Sequence, residues 1–87
     1  MLRAWSSEAW ADFETISNQD KKLLKKIFKL IKDIDRHPFE GIGKPEPLTG
    51  NLSGYWSRRI DAKNRLVYKI ENNMIIVAQC DTHYGDK

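Results

Sequence analysis

Apolar residues recur at helical spacing over the first third of the chain and alternate over the last third, with an irregular stretch between. Met1 to Trp5 is a short, extended-looking run. Ser6 and Ser7 supply N-cap chemistry and Glu8 suits a first helical turn. Trp10, Phe13 and Ile16 then return at helical spacing, predicting a helix from Ser7 to about Asn18. Trp10 reads as a core anchor, with base stacking as its functional alternative. Asp20 can cap a second helix running to about Arg36. Its apolar stripe is Leu23, Leu24, Ile27, Phe28, Leu30, Ile31 and Ile34. Lys21, Lys22, Lys25, Lys26, Lys29 and Lys32 take most of the remaining face, either merely solvated or laid along a nucleic-acid backbone. A joint of one or two residues makes the helices an antiparallel pair.

His37-Pro38 stops the second helix, because the residue before proline is driven out of the α region. From there to Gly54 the chain holds four glycines and three prolines without periodicity. So long a loop in a small domain is often functional. Tyr55–Ile60 and Arg65–Glu71 read as strands joined across Asp61-Ala62-Lys63-Asn64. Asn72-Asn73 turns the chain into a third run, Met74 to Thr82. The order strand, helix, helix, strand, strand, strand predicts an α+β fold. Both helices pack on one face of a small, mainly antiparallel four-stranded sheet. No repeat or linker interrupts residues 1–87, so a single domain is expected.

Composition narrows the class. Nine aromatics and a 40% hydrophobic fraction exclude a disordered chain. A net charge of +3 favours an anionic partner such as nucleic acid or an acidic protein. The single cysteine, Cys80, cannot form an internal disulfide and sits in an apolar run, as an inert buried thiol would. No Cys/His cluster has metal-ligand spacing, so neither metal nor cofactor is expected. No apolar run approaches the roughly 18 residues of a membrane span, and the N-terminus lacks signal-peptide character. A reduced, cytoplasmic protein is expected.

Strand parity sorts the remaining chemistry. If Arg59 faces Arg65 across the hairpin, Ser57 pairs with Val67 and Tyr55 with Lys69. Gln79, Asp81 and His83 extend the same face on the last strand. Trp56, Leu66, Tyr68, Ile70, Ile76, Ala78 and Cys80 fall on the other, apolar face. Ile75 and Val77 conflict with this scheme unless a bulge shifts the register. Arg58 falls on the apolar side, where its stem can cover the sheet edge.

One face thus gathers arginines and a histidine near Glu46, a carboxylate set between two prolines. Guanidinium groups bind phosphate through forked hydrogen bonds. A carboxylate base, a histidine acid and fixed cations are what RNA cleavage by the ribose 2′-hydroxyl requires. Tyr84 could stack on an unpaired base. Each residue has an ordinary alternative: Glu46 as a loop carboxylate, His83 as a surface residue. On the residues alone, the chain is a basic α+β domain with a candidate phosphate site.

PFEGIGKPEPL, NLSGYWSRRI, RLVY and the HY near the end carry something more specific. With the opening LRAWS and the helix DKKLLKKIFKLIKDI, they resemble the YoeB (Txe) toxins of bacterial type II toxin–antitoxin modules, in the RelE superfamily. The resemblance covers essentially the whole chain. It implies a RelE-like, microbial-ribonuclease-like fold and a ribosome-dependent endoribonuclease, an mRNA interferase that cuts mRNA in the ribosomal A site. By motif, Glu46 of KPEPL would be the general base and His83 of HY the general acid. Arg65 of RLVY would stabilise the transition state with help from Arg59 of SRR, and Tyr84 would position the substrate. Lys44 and Arg58 join them as substrate-binding candidates.

The implied reaction needs no metal and leaves a 2′,3′-cyclic phosphate, or its opened 3′-phosphate, and a 5′-hydroxyl. The implied partners are ribosome, mRNA and an antitoxin of the YefM/Axe type, acidic where it meets the arginines, with a homodimer left open. Two features depart from the family pattern: Thr49 stands where a basic residue is common, and Gly85-Asp86-Lys87 follows the HY. The competing reading is a non-enzymatic ParE-like module on the same scaffold, acting on a target such as DNA gyrase.

Overall fold

Helix capping sets the first half of the chain. The structure, a computed structural model, describes residues 1–80. Strand β1 (Leu2–Trp5) hands over to helix α1 (Ser7–Gln19) at Ser6, whose hydroxyl accepts from the Ala9 N–H as an N-cap. Asp20 ends α1 and starts α2 (Lys21–Arg36), accepting from the Leu23 N–H. A one-residue joint leaves no room for anything but a reversal, so the helices pack against each other. His37 closes α2 with its N–H on the Asp33 carbonyl.

The rest forms a sheet from β2 (Glu46–Pro47), β3 (Trp56–Arg59), β4 (Arg65–Glu71) and β5 (Met74–Gln79), in spatial order β1-β5-β4-β3-β2. β1 lies parallel to β5, and the other neighbours are antiparallel. The sheet therefore has five strands among the described residues, where four were expected. The added one is β2: two residues flanked by or containing proline carry no alternation, so only their pairing with β3 defines them as a strand.

The core lies between the helices and one sheet face. Ala9 of α1 and Ile27, Leu30, Ile31 and Ile34 of α2 meet Leu66, Tyr68, Ile75, Val77 and Cys80. Each buried aliphatic side chain contributes roughly 1.5–3 kcal/mol by leaving water. Trp10 is not the core anchor that its spacing suggested. It is 46% exposed, because α1 turns Ala9, Phe13 and Ile16 inward and sets Trp10 about 100° around the helix. Phe28 is exposed beside Ile27 for the same reason. With Trp5 and Phe13 these rings form an edge-packed aromatic patch, centroids 4.7–5.9 Å apart.

A bulge in β5 resolves the conflict at Ile75 and Val77. Val67 pairs with Gln79, yet Tyr68 pairs with Val77, so Ala78 is an extra residue. Before the bulge, Ile75 and Val77 point into the core and are fully buried. Ile76, expected in the core, lies opposite Lys69 and is only half-buried, as is Ala78. After it, Gln79 turns to the other face and Cys80 to the core. Ser6 holds the bulge in place by donating its hydroxyl hydrogen to the Ala78 carbonyl at 3.0 Å.

Arg58 is buried to 0% exposure on the core side, with every guanidinium N–H direction used. Nε donates to the Tyr68 hydroxyl at 3.2 Å. Nη1 donates to the Asp33 carboxylate at 2.5 Å and the Ile42 carbonyl at 3.0 Å. Nη2 donates to the carbonyls of His37 at 2.6 Å and Glu40 at 2.8 Å. The Tyr68 hydroxyl donates in turn to the Pro38 carbonyl, and Asp33 accepts from the Ile42 N–H. A buried charge survives only with such full pairing. Here it ties β3, β4, α2 and the loop after α2 into one unit. Its hydrogen bond from Arg58 holds the Asp33 carboxyl below its ordinary range, while burial pushes the Tyr68 phenol up.

Candidate active site

The face of the sheet turned away from the helices holds the candidate chemistry. The hairpin β3–β4 sets Arg59 directly across from Arg65 and Ser57 across from Val67, the expected register. The expected closeness of Tyr55 and Lys69 is also seen, the Lys69 ammonium lying 5.2 Å from the Tyr55 ring centre. The connecting turn is held by Asp61, whose carboxylate accepts from the N–H groups of Lys63 and Asn64, an Asx turn. Ile60 N–H to Asn64 carbonyl closes it, so the two arginines start from a rigid base.

The edge strand β2 brings the carboxylate to them. Glu46 pairs with Ser57, forming a cross-sheet row of Glu46, Ser57, Val67 and Gln79, with Arg59 and Arg65 in the next row. Glu46 Oε1 lies 4.0 Å from Arg65 Nη1. Both side chains reach solvent, so this loose pair is worth at most about 1 kcal/mol to stability. Its interest is chemical: an acceptor and a forked cation stand side by side on one face of the sheet.

Pro45 and Pro47 take the outward positions of this edge strand, where a missing N–H costs no ladder bond, while Glu46 pairs with Ser57. Its placement comes from either side. Upstream, the Gly43 carbonyl accepts from the Arg59 N–H at 2.7 Å. Downstream, the Leu48 N–H donates to the Tyr55 carbonyl at 2.9 Å. Between Gly43 and Pro45, Lys44 takes φ 51°, a left-handed conformation that a lysine adopts only when its neighbours impose it.

The candidate residues therefore separate. Glu46, Arg59 and Arg65 come together, with Lys44 exposed on the segment leading in. Arg58 does not join them. As a substrate-binding candidate it is corrected by its burial: all its donors are spent inside the fold, on the opposite face from Arg59 and Arg65. His83 and Tyr84 lie outside the described residues. Thr49 is exposed at the start of a single 3-10 turn (Gly50–Leu52), and its side chain makes no capping hydrogen bond.

Two polar groups were missed as candidates. Ser57 Oγ and Gln79 Oε1 are buried in the site's own row without a hydrogen-bond partner among the described residues. Strand parity had placed both on this face, but no sequence signal shows an unsatisfied atom. Among the described residues, no three His, Cys, Asp or Glu side chains are placed to share a metal ion, and no helix is long and apolar enough to cross a membrane.

Comparison with known proteins identifies the family. The profile described as "YoeB-like toxin of bacterial type II toxin-antitoxin system" matches residues 5–84. Toxin YoeB of Escherichia coli (strain K12) is 52% identical over 84 residues, covering 97% of this chain and all of that one. A YoeB/ParE toxin from Agrobacterium tumefaciens superposes with a TM-score of 0.93 at 43% identity, over 97% of this chain and 100% of that one. The Staphylococcus aureus toxin, solved as a heterotetrameric YoeB–YefM complex, gives a TM-score of 0.90 at 48% identity, over 97% and 99% of the two chains. The same organism's toxin has been solved as a YoeB dimer, again with a TM-score of 0.90. By matched profile, identity and fold alike, the chain belongs to the YoeB-like toxins of bacterial type II toxin–antitoxin systems.

Proposed function

We propose that this toxin is a ribosome-dependent endoribonuclease that cleaves mRNA by metal-free general acid/base chemistry. The observation that carries the reading is the Glu46 carboxylate 4.0 Å from the Arg65 guanidinium, with Arg59 across the hairpin. A scissile phosphate bridging the arginines leaves Glu46 beside the ribose 2′-hydroxyl. Glu46 takes that proton as the oxygen attacks phosphorus. Arg65 and Arg59 neutralise the charge that grows on the non-bridging oxygens. His83 protonates the departing 5′-oxygen, and Tyr84 stacks on and positions the substrate. The products are a 2′,3′-cyclic phosphate and a 5′-hydroxyl.

The lysine face of α2, exposed at Lys22, Lys25, Lys29 and Lys32, supplies the grip on ribosomal RNA. A YefM-like antitoxin restrains the toxin by covering the arginine face with acidic residues, and the free toxin can pair with a second copy.

Mapping mRNA 5′ ends after induction tests this. Cleavage confined to translated messages, and a fall of roughly 10²- to 10⁴-fold in Glu46→Gln and His83→Gln, are expected. Intact mRNA with DNA damage would instead place the target at gyrase. Equal cutting of untranslated RNA would remove the ribosome from the mechanism.

A further inference from the structure

We propose that buried Arg58 is a positioning residue for Glu46, which it never touches. The inference rests on reading Glu46 as the base. β2 has little hold of its own: it is two residues long, at the sheet edge, and pairs with β3 only through Glu46–Ser57 and Pro47–Trp56. The segments on either side complete that hold, and Arg58 is what shapes the upstream one. Its two terminal nitrogens grip the carbonyls of His37, Glu40 and Ile42, and its partner Asp33 grips the Ile42 N–H.

One residue further on, the Gly43 carbonyl is bonded to the backbone of Arg59, the neighbour of Arg58 in β3. The chain then leaves through left-handed Lys44 and φ-locked Pro45 straight into Glu46. That path has little slack, so a shift of the clamped loop reaches the carboxylate. Arg58 and Arg59 thus divide the work of adjacent strand positions: one faces inward and places the base, the other faces the substrate.

Gly41 marks how closely the loop is fitted. It has φ 118°, and a methyl group there would run into the Asp33 carboxylate. Gly41→Ala therefore disturbs the clamp from the loop side without removing a buried charge. Arg58→Lys disturbs it from the other side, since one ammonium keeps the Asp33 pair but cannot fork to three carbonyls.

The test is steady-state cleavage of mRNA on purified translating ribosomes, for wild type, Gly41→Ala and Arg58→Lys. It is run well below each melting temperature, with amide hydrogen exchange measured in parallel. The expected result is kcat lowered tenfold or more with KM within twofold, because displacing a reacting group by about 1 Å can cost 100-fold in rate. The Ile42 amide should exchange faster. In a Glu46→Gln background the residual cleavage should be insensitive to either change, the non-additive signature of two residues acting through one group.

A Gly41→Ala protein with loosened Ile42 exchange but wild-type kcat overturns the proposal, as does an equal loss in both backgrounds. Full activity of Glu46→Gln alone would instead overturn the reading of Glu46 as base, so the two failures are told apart.

Discussion

Replacing Tyr68 by Phe isolates the energetic worth of the buried polar cluster. The ring stays, so the apolar contacts of this fully buried residue are kept. Only the hydroxyl goes, and with it the bond accepted from Arg58 Nε at 3.2 Å and the bond donated to the Pro38 carbonyl at 2.5 Å. Arg58 Nε is left buried and unpaired on a charged group, which costs about 1–3 kcal/mol. Pro38 is half-buried in an otherwise exposed loop, where water can replace the phenol at its carbonyl, so that loss is about 0.5–1.5 kcal/mol.

Together these give a loss of roughly 1.5–4.5 kcal/mol. At 0.05–0.15 kcal/mol per residue, an 87-residue domain holds about 4–13 kcal/mol in total, so this is a large share. At some 4–8 °C per kcal/mol, the melting temperature should fall by about 6–36 °C. Urea and thermal denaturation followed by far-ultraviolet circular dichroism would measure it, with a lowered midpoint and an unchanged m-value. A variant within about 0.5 kcal/mol of wild type would refute the reasoning, since it would mean that the guanidinium does not need this partner.

Other outcomes follow from the same structure. The hydrogen bond from Arg58 holds the Asp33 carboxyl below its ordinary range, so the unfolded chain binds the proton more readily. The resulting stabilisation is present above about pH 4 and is lost as pH falls through the lowered value. The stability gap between wild type and Asp33→Asn should therefore shrink in acid, and a gap constant from about pH 6 to pH 3 would sink the assignment. Replacing exposed Lys25, Lys29 and Lys32 with Gln should weaken ribosome binding and flatten its salt dependence by up to about 0.7–0.9 per lost phosphate contact; an unchanged slope in filter binding would exclude α2 from the interface. Cys80, fully buried with its Sγ 3.4 Å from the Ala9 carbonyl, should react with Ellman's reagent only on unfolding, and rapid labelling of the native protein would contradict its burial.

Much of the architecture was legible because it rests on local rules. Ser6 and Asp20 cap helices with their own side chains, and the 3.6-residue spacing of Ile27, Leu30, Ile31 and Ile34 names the buried stripe of α2 directly. The hairpin register followed from parity and a short turn, which placed Arg59 opposite Arg65. Glu46 between its prolines stood out as a candidate, but its role as base came only through family likeness to KPEPL, since a carboxylate between prolines has no geometric signature of its own.

What the sequence by itself determined, then, is what neighbours along the chain enforce: helix ends, strand parity, and which residue types share a face. Tertiary structure alone decided three things. It made a strand of Glu46-Pro47, because a two-residue edge strand exists only through its partner. It reversed the parity of β5 at Ala78, because one inserted residue turns every side chain on one side of it to the opposite face. And it buried Arg58 completely, where parity had only put it on the apolar side, and so gave two adjacent arginines different roles. Arg58 and Arg59 are alike in sequence, but a pleated strand sends one into the core, where Asp33, Tyr68 and loop carbonyls from distant segments must meet its charge, and leaves the other beside Arg65.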